Sequence, residues 1–350
     1  MKNSSLVNIS IGDVARAAGV SKATVSYVLN NQAGPSQETR ERVLQIARRL
    51  NYTPDARVHS FMAKVREAKS KNLLPIAWLN ANPDGEMVWQ KYKFLSPYRE
   101  GAQERCAELG YRLEEIWAKR PGMTMGKIAR MLYQRGIEGI IITFPIKHVR
   151  LNWEKLAGVS LEGSLLAPRL NRVRADSTFN LQLAIKSVRH LGYRRIGICL
   201  TTHMDIVSEH RLGLVIHHFY TTSLSSERVK PLFHSVAEET LEGKQTQFTE
   251  WLRREKPAVV IGNDGFLVQW VREAGYRVPE DVGVVNLSID DDVLDWAGIY
   301  SHRKVQGQVA VEQVISLIQN CQFGVPKVPT DTYVRGYWHL GKTVLSQKGK

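Results

Sequence analysis

Residues 11–30 read IGDVARAAGVSKATVSYVLN, which is two short helical patterns joined by a tight turn. The pattern places a small residue, Ala15, where two helices would cross, then Gly19 four positions later and Val25 six positions beyond that. Glycine accepts the positive φ that such a turn requires. This spacing is typical of a helix-turn-helix, so the stretch predicts one here.

The neighbouring sequence completes a small all-α domain around this motif. Ser10 and Asp13 have the spacing of a capping box at the start of the first helix, and Ser21 is the N-cap candidate of the second. A third helical pattern begins at the N-cap candidate Ser36 and ends before a proline break. We therefore expect a helical headpiece over residues 1–54.

The N-terminal part of the chain is strongly basic. The first 72 residues hold twelve Lys and Arg against five Asp and Glu, which is half of the net charge of +14 in about a fifth of the chain. Such a concentrated positive field favours a polyanionic partner through counterion release. On charge alone, a merely solvated basic face is the alternative.

After a basic connector over residues 55–71, the sequence pattern changes. Runs of apolar residues typical of strands buried on both faces now alternate with helical stretches. These runs cover residues 73–79, 139–144, 195–200, 258–262 and 282–287. The alternation predicts an α/β core of two doubly wound lobes with parallel sheets over residues 72–345.

Several classes of protein lack support in the sequence. There is no G-x-G-x-x-G after a strand, no G-x-x-x-x-G-K-[ST] phosphate loop and no G-x-S-x-G elbow, so we expect no catalytic site and no cofactor. The three cysteines lack metal-ligand spacing and indicate free thiols, and we expect no metal site. Neither a signal peptide nor a membrane span is evident, which predicts a soluble cytoplasmic protein with no membrane partner.

The motifs together point to a known family. Residues 11–60 closely resemble the headpiece of the lactose-repressor/galactose-repressor family of bacterial regulators, and LGYRRIGI (191–198), PAVVIGNDGFLVQWVREAGYRVPEDVGVV (257–285) and VRGYW (334–338) resemble its later landmarks. The resemblance implies a transcriptional regulator that binds double-stranded DNA as a homodimer on a near-palindromic operator. It also implies a core like a periplasmic sugar-binding protein, with a small effector, a sugar, between its lobes. Effector identity and the direction of the response stay open.

The resemblance assigns base-reading positions to Lys22, Ala23 and Tyr27. Many relatives carry arginine at the last position, where it can grip a guanine bidentately; a tyrosine cannot, but it can make one hydrogen bond and pack on a thymine methyl group. A further set of polar residues is expected either to contact phosphates or to hold the turn without touching DNA. This set is Ser21, Thr24, Ser26 and Asn30.

The connector resembles the family's hinge, which inserts an apolar side chain into the minor groove. Phe61 matches the inserted position, and a wedge of this kind must be apolar and protrude. The alternative is that Phe61 packs against the core and that Met62, or no residue, is the wedge. Arg57 is expected to contact phosphates.

Candidate effector-binding residues follow the core strands. Trp89, Tyr92 and Phe94 offer faces on which a sugar ring could stack, although aromatic residues are as often part of a core. Asn263 matches a family position that commonly contacts effector. Either His210 or Arg211 matches a family arginine at the ligand, since the sequence HRLGL is ambiguous by one residue.

One segment departs from the family pattern. Relatives usually follow the VVG strand with a paired-acid segment whose first aspartate holds the ligand, whereas this chain reads VVNLSIDDD. Ser288 falls where that aspartate would be, and Asp290 is shifted along the chain. The usual clamp on sugar hydroxyls is therefore in doubt, and these two residues are its candidate replacements.

Overall fold

The computed structural model of the chain describes residues 10–29, 34–50, 52, 73–82, 92–143, 146–163, 165–234 and 240–348. The chain divides into two compact units, Met1–Leu73 and Leu74–Lys350. The connector expected over residues 55–71 lies outside the described residues. The boundaries expected for the headpiece, hinge and core therefore stay predictions.

In its described residues, the first unit contains three helices: α1 (Ile11–Ala18), α2 (Lys22–Leu29) and α3 (Gln37–Arg49). The predicted capping box is confirmed, because the Asp13 amide donates to the Ser10 hydroxyl (3.3 Å) and the Ser10 amide donates to the Asp13 carboxylate (3.0 Å). Gly19 ends α1 in the left-handed conformation (φ 65°), as the turn required. An apolar core joins the three helices through Val14, Ala15, Val25, Val28, Val43 and Ala47.

The second unit contains two lobes, of which lobe 1 is built on a six-stranded parallel sheet. Its strands are β1 (Leu74–Asn80), β2 (Tyr111–Trp117), β3 (Gly139–Ile142), β4 (Ala157–Leu161), β5 (Asn171–Ala175) and β11 (Asp331–Val334), in the order β11-β5-β4-β3-β1-β2. Helices α4 (Ser96–Glu108) and α11 (Arg303–Gln319) cover one face, and α5 (Met125–Gln134) covers the other.

Lobe 2 repeats this architecture. Its strands are β6 (Ile196–Thr201), β7 (Leu232–His234), β8 (Val259–Gly262), β9 (Gly283–Ile289), β10 (Ala297–Tyr300) and β12 (Tyr337–His339), in the order β12-β10-β9-β8-β6-β7. Helices α6 (Ser177–His190) and α8 (Arg211–Thr222) pack on one face, α9 (Leu241–Glu255) and α10 (Leu267–Glu273) pack on the other, and the short helix α7 (Thr202–Val207) follows β6. The predicted pair of doubly wound lobes is confirmed, with one exception. Strand β12 is antiparallel to β10.

The chain passes between the lobes three times, from β5 to α6, from β10 to α11 and from β11 to β12. Helix α11 follows a strand of lobe 2 but packs on lobe 1 against α4. Two glycines allow this close crossing: a Cβ on Gly307 would collide with the Tyr98 carbonyl, and one on Gly101 with the Lys304 carbonyl. The packing fixes the first residue of α11, Arg303, at the boundary between the lobes.

Parallel strands end at the same edge of their sheet, so the carboxyl ends of β1, β3 and β4 and those of β6, β8 and β9 border the space between the lobes. We call this space the cleft. Among the described helices, none is both long and apolar enough to cross a bilayer. Within the described ranges, no three His, Cys, Asp or Glu side chains are grouped as a metal ion requires.

Candidate functional site

Helix α2 has one buried face and one exposed face. Val25 and Val28 are 0% and 3% exposed and pack in the headpiece core, whereas Lys22 is exposed and the Tyr27 side chain is 47% exposed. An exposed aromatic ring and an exposed cation on one short, well-supported helix suit a groove that presents both acceptors and methyl groups. The two described side chains predicted to read bases are therefore both accessible on α2.

The position of Lys22 is supported by helix α1. A Cβ placed on Gly12 would lie 3.1 Å from Lys22 Cε, so the lysine stem runs close over the start of α1. The absence of a side chain at Gly12 leaves room for this arrangement. Lysine stems that pack on neighbouring surface keep the charged end in solvent, which leaves the Lys22 ammonium group available to DNA.

Ser21 and Thr24 have a structural role in the helix-turn-helix. The Thr24 amide donates to Ser21 Oγ (3.0 Å), and the two hydroxyl oxygens lie 2.9 Å apart. The serine thus caps α2 in the manner expected of an N-cap. Ser26, also a phosphate candidate, is half-buried. Whether any of the three also contacts phosphate stays a prediction.

Several predicted site residues fall outside the described part of the chain. These are Asn30, Arg57, Phe61, Trp89 and the side chain of Ala23. The predictions made for them stand unchanged.

In the cleft, Ser288 and Asp290 meet at the guanidinium group of Arg303. Arg303 Nη2 donates to Ser288 Oγ (2.8 Å) and to the Ser288 carbonyl (2.9 Å), and Nη1 donates to Asp290 Oδ2 (3.1 Å). The side chains of Arg303 and Asp290 are 7% and 6% exposed. A buried, paired arginine therefore lies beside the position at which relatives carry an aspartate.

Phe94 lies next to this arginine, and Tyr92 lies next to Phe94. The Arg303 guanidinium carbon is 5.6 Å from the centre of the Phe94 ring, and Tyr92 meets that ring edge-on at 6.1 Å. Phe94 is 42% exposed, so it is not a core residue. Its geometry leaves an aromatic surface at the edge of the cleft, as the stacking hypothesis requires.

Tyr98 and Glu162 form a second polar pair in the cleft. The Tyr98 hydroxyl donates to Glu162 Oε1 (3.1 Å), and the Ala175 amide approaches the same oxygen at 3.4 Å. Burial raises the pKa of Glu162, against the opposing effects of the Tyr98 hydroxyl and of two nearby arginines, Arg174 and Arg303. Burial and the neighbouring carboxylate raise the pKa of Tyr98 as well.

His210 and Arg211 have different surroundings in the structure. Arg211 Nη1 donates to the Tyr333 hydroxyl of β11, across the boundary between the lobes, and its Nε donates to the Ser208 carbonyl (2.9 Å). The His210 side chain is 73% exposed and binds Asp205 (2.8 Å). Of the two candidates, Arg211 is the one that lies between the lobes.

Asn263 lies at the end of β8, where its Oδ1 accepts from the Thr201 amide at 3.4 Å. The structure thus brings Ser288, Asp290 and Phe94 around one arginine, with Tyr92 against the Phe94 ring, and places Asn263 and Arg211 on other strand or helix ends. The sequence analysis missed Arg303, Tyr98 and Glu162. Only Glu162 gave a signal, because an acidic residue directly follows the buried strand β4.

Family comparisons agree with this two-part organisation. The model for bacterial regulatory proteins of the lacI family matches residues 10–55, and the model for the periplasmic binding protein-like domain matches residues 185–333. A ribose operon repressor of Haemophilus influenzae is 26% identical over 326 residues, which covers 88% of this chain and 91% of the relative. The regulator MalR of Streptococcus pneumoniae is 23% identical over 89% of this chain and 93% of its own length.

Solved structures share the fold. A complex of the regulator CelR with cellobiose covers 96% of this chain and 99% of its own, with 16% identity and a TM-score of 0.57. A lac repressor dimer bound to operator and the anti-inducer ONPF has the same coverage, with 20% identity and a TM-score of 0.55. The named relatives are transcriptional regulators, which agrees with the expectation that the chain is not an enzyme. The chain therefore contains a domain of the lacI family of bacterial regulatory proteins at residues 10–55, followed by a periplasmic binding protein-like domain at residues 185–333.

Proposed function

We propose that this chain is a transcriptional repressor that binds a specific operator and changes its operator affinity when a carbohydrate binds between the lobes. The observation that carries the proposal is the exposed pair Lys22 and Tyr27 on a capped helix-turn-helix, in one chain with a two-lobed core that has a polar cleft. Similar proteins support both halves, because one relative is a ribose operon repressor and one regulator of the same fold was solved with cellobiose.

The DNA-binding part follows the division between base reading and phosphate contact. Lys22 donates to base edges, and Tyr27 makes a single hydrogen bond and packs on a thymine methyl group. The other basic residues of the headpiece and connector, including Arg57, bind phosphates. Phe61 from the hinge inserts at the central minor-groove step. The working boundaries are residues 1–54, 55–71 and 72–345.

The effector part uses the polar groups that border the cleft. Ser288, Glu162 and Asn263 offer oxygens to sugar hydroxyls, Arg211 supplies donors, and the Phe94 face packs on the C–H face of a ring. Because Arg303 already binds Ser288 and Asp290, the effector meets an arginine where relatives present a free carboxylate.

The assembly is a homodimer that places two headpieces on a near-palindromic site, and the lac repressor of similar fold, solved as a dimer bound to operator, supports this arrangement. We place the protein in the cytoplasm, where the chromosomal DNA is. Light scattering at low micromolar concentration should give the mass of a dimer. A stable monomer or a tetramer would contradict this part of the proposal.

The DNA-binding proposal is tested by selecting duplexes from a random pool with the full chain and with Tyr27→Ala. We expect a near-palindromic sequence from the parent, and a changed base preference at defined positions in the variant, at a cost of about 1–3 kcal/mol. Tyr133→Ala is the control, since this tyrosine is 79% exposed on α5, which belongs to lobe 1 and not to the helix-turn-helix. Equal weakening of every sequence by Tyr27→Ala would refute the base-reading role.

A further inference from the structure

A second set of contacts joins the two lobes, away from Arg303. Arg172 and Arg174 are two residues apart on β5 and so share one face of the lobe 1 sheet. Residues 207–211 of lobe 2 lie against this face, where Arg174 Nη2 donates to the Val207 carbonyl (2.9 Å). Arg211 reaches lobe 1 through Tyr333. We call Arg172, Arg174 and Arg211 the arginine cluster.

Two described carboxylates hydrogen-bond to the arginine cluster, and both bind the same member. Arg172 Nε and Nη2 donate to the two oxygens of Asp331 (2.7 and 2.8 Å), and Nη2 also donates to Glu209 (2.8 Å). The pairing with Asp331 joins two strands of lobe 1, whereas the pairing with Glu209 crosses between the lobes. The buried Glu162 is near Arg174 as well, but it accepts its hydrogen bonds from the Tyr98 hydroxyl and the Ala175 amide.

The other two arginines hydrogen-bond to neutral oxygens. Arg174 donates to a carbonyl, and Arg211 donates to the Ser208 carbonyl and the Tyr333 hydroxyl. Arg174 is only 3% exposed, yet among the described residues its Nη1 has no hydrogen-bond partner, and it lies 3.6 Å from Asp331 Oδ2. A buried donor without an acceptor is costly. Burial, together with the charges of Arg172 and Arg211, lowers the pKa of Arg174.

Glu209 reaches the arginine cluster from a strained segment. Glu209 and His210 have φ values of 57° and 61°, so two successive residues other than glycine adopt the left-handed conformation. The Glu209 side chain is nevertheless 58% exposed. Its hydrogen bond with Arg172, aided by Arg174 and Arg211, lowers the pKa of Glu209 and keeps it ionised. An exposed carboxylate therefore lies where an external anion would bind.

We propose that the arginine cluster binds an oxyanion group of the effector, a carboxylate or a phosphate, and that Glu209 occupies this position when the effector is absent. Guanidinium groups bind both oxyanions through paired N–H donors, and an incoming anion offers acceptors to Arg174 and Arg211 that Glu209 does not reach. The inference rests on the proposed effector-controlled function, and it narrows the effector class to a sugar acid or a sugar phosphate.

The first test uses inorganic phosphate as the probe. The thermal unfolding midpoint of the full chain without DNA is measured against phosphate concentration, with sodium chloride holding the ionic strength constant. We expect the unfolding midpoint to rise with phosphate and to saturate. The phosphate concentration at half-saturation should be about threefold lower or more in Glu209→Gln, because the internal competitor loses its charge, and about threefold higher or more in Arg211→Gln. Glu280→Gln is the control and should match the parent, since this exposed glutamate precedes β9 at the opposite edge of the sheet.

Because the Glu209 side chain is exposed, we expect Glu209→Gln to fold like the parent. This variant therefore tests the proposal even if Arg211→Gln is unstable. If Glu209→Gln shows the same phosphate dependence as the parent, or neither shows any, the proposal is wrong. Equal responses in all four proteins would indicate an adventitious ion only.

The second test separates the two oxyanions with glucose 6-phosphate, gluconate and glucose as probes in the same assay. We expect one of the two anionic compounds to raise the midpoint at a lower concentration than glucose, and Arg211→Gln to abolish the difference. The proposal fails if neither anionic compound exceeds glucose. Both tests omit DNA, so a negative result in them would not contradict the proposed operator binding. A failed operator selection, in turn, would not contradict the phosphate and sugar results.

Discussion

The buried pair of Arg303 and Asp290 predicts a large and specific effect of truncating one partner. Both side chains are more than nine-tenths buried, and their closest atoms are 3.1 Å apart. In Asp290→Ala, the guanidinium group would lose its carboxylate and keep the Ser288 oxygens as acceptors. Removing one member of a buried ion pair leaves an uncompensated charge, and the expected loss in the free energy of unfolding is about 3–5 kcal/mol.

The assay is urea unfolding of the full chain without DNA, monitored by tryptophan fluorescence and circular dichroism. Arg303→Met in the Asp290→Ala background removes the orphaned charge and should restore part of the stability, giving a coupling energy of roughly 2 kcal/mol or more in the double-mutant cycle. Asp295→Ala is the matched control, because Asp295 and Lys342 form an ion pair of 2.7 Å whose side chains are 77% and 83% exposed. It should leave the unfolding curve unchanged. The reasoning is refuted if Asp290→Ala costs no more than the control, or if the double variant is as unstable as the sum of the single ones.

Three further predictions follow from other parts of the chain. Gly307→Ala should destabilise the core by about 1–3 kcal/mol in urea unfolding through its collision with the Tyr98 carbonyl, whereas Gly126→Ala on α5, whose added Cβ would meet Thr124 Oγ1 at an ordinary 3.9 Å, should stabilise it by about 0.5 kcal/mol. Equal effects of the two substitutions would contradict the close crossing of α4 and α11. Because burial raises the pKa of Glu162, its protonated form is favoured in the folded state, so the free energy of unfolding should fall as pH rises above the ordinary glutamate pKa. The urea midpoint of Glu162→Gln should depend less on pH than that of the parent, and an unchanged pH dependence would contradict this. Phe61→Gly should weaken operator binding several-fold and blunt the effector response while leaving DNA-free ligand affinity unchanged; an equally tight and equally bent operator complex would exclude Phe61 as the wedge.

The headpiece could be predicted from the sequence because its determinants are local. The capping box at Ser10, the left-handed Gly19 and the buried Val25 act within a few residues of one another, so their spacing alone specifies the turn. The long apolar strands of the core were equally readable, since burial on both faces leaves a continuous apolar run.

The short edge strands were not predictable in the same way. Strands β7 and β12 are three residues each, and β11 is four. Segments of this length carry too few residues to show a period. The reversed direction of β12 depends on where the chain crosses between the lobes, which is a property of the whole core.

The cleft could be predicted only in part. Ser288 and Asp290 followed from the resemblance, but their partner Arg303 is brought to them by the packing of α11 on the other lobe. Tyr98 and Glu162 are 64 residues apart and meet only in the folded lobe. Side-chain partners at such separations are set by tertiary packing and leave no local pattern.

The proposed function has two parts: this protein recognises one DNA sequence, and a ligand in the cleft changes this recognition. The most direct measurement is a fluorescence anisotropy competition at physiological salt between the selected duplex and a scrambled duplex of equal length, with and without a compound that stabilises the core. We expect a preference of about a thousandfold or more for the selected duplex, and a change in that preference when the compound is present. Equal affinity for both duplexes, or a preference that no core-stabilising compound alters, would contradict it.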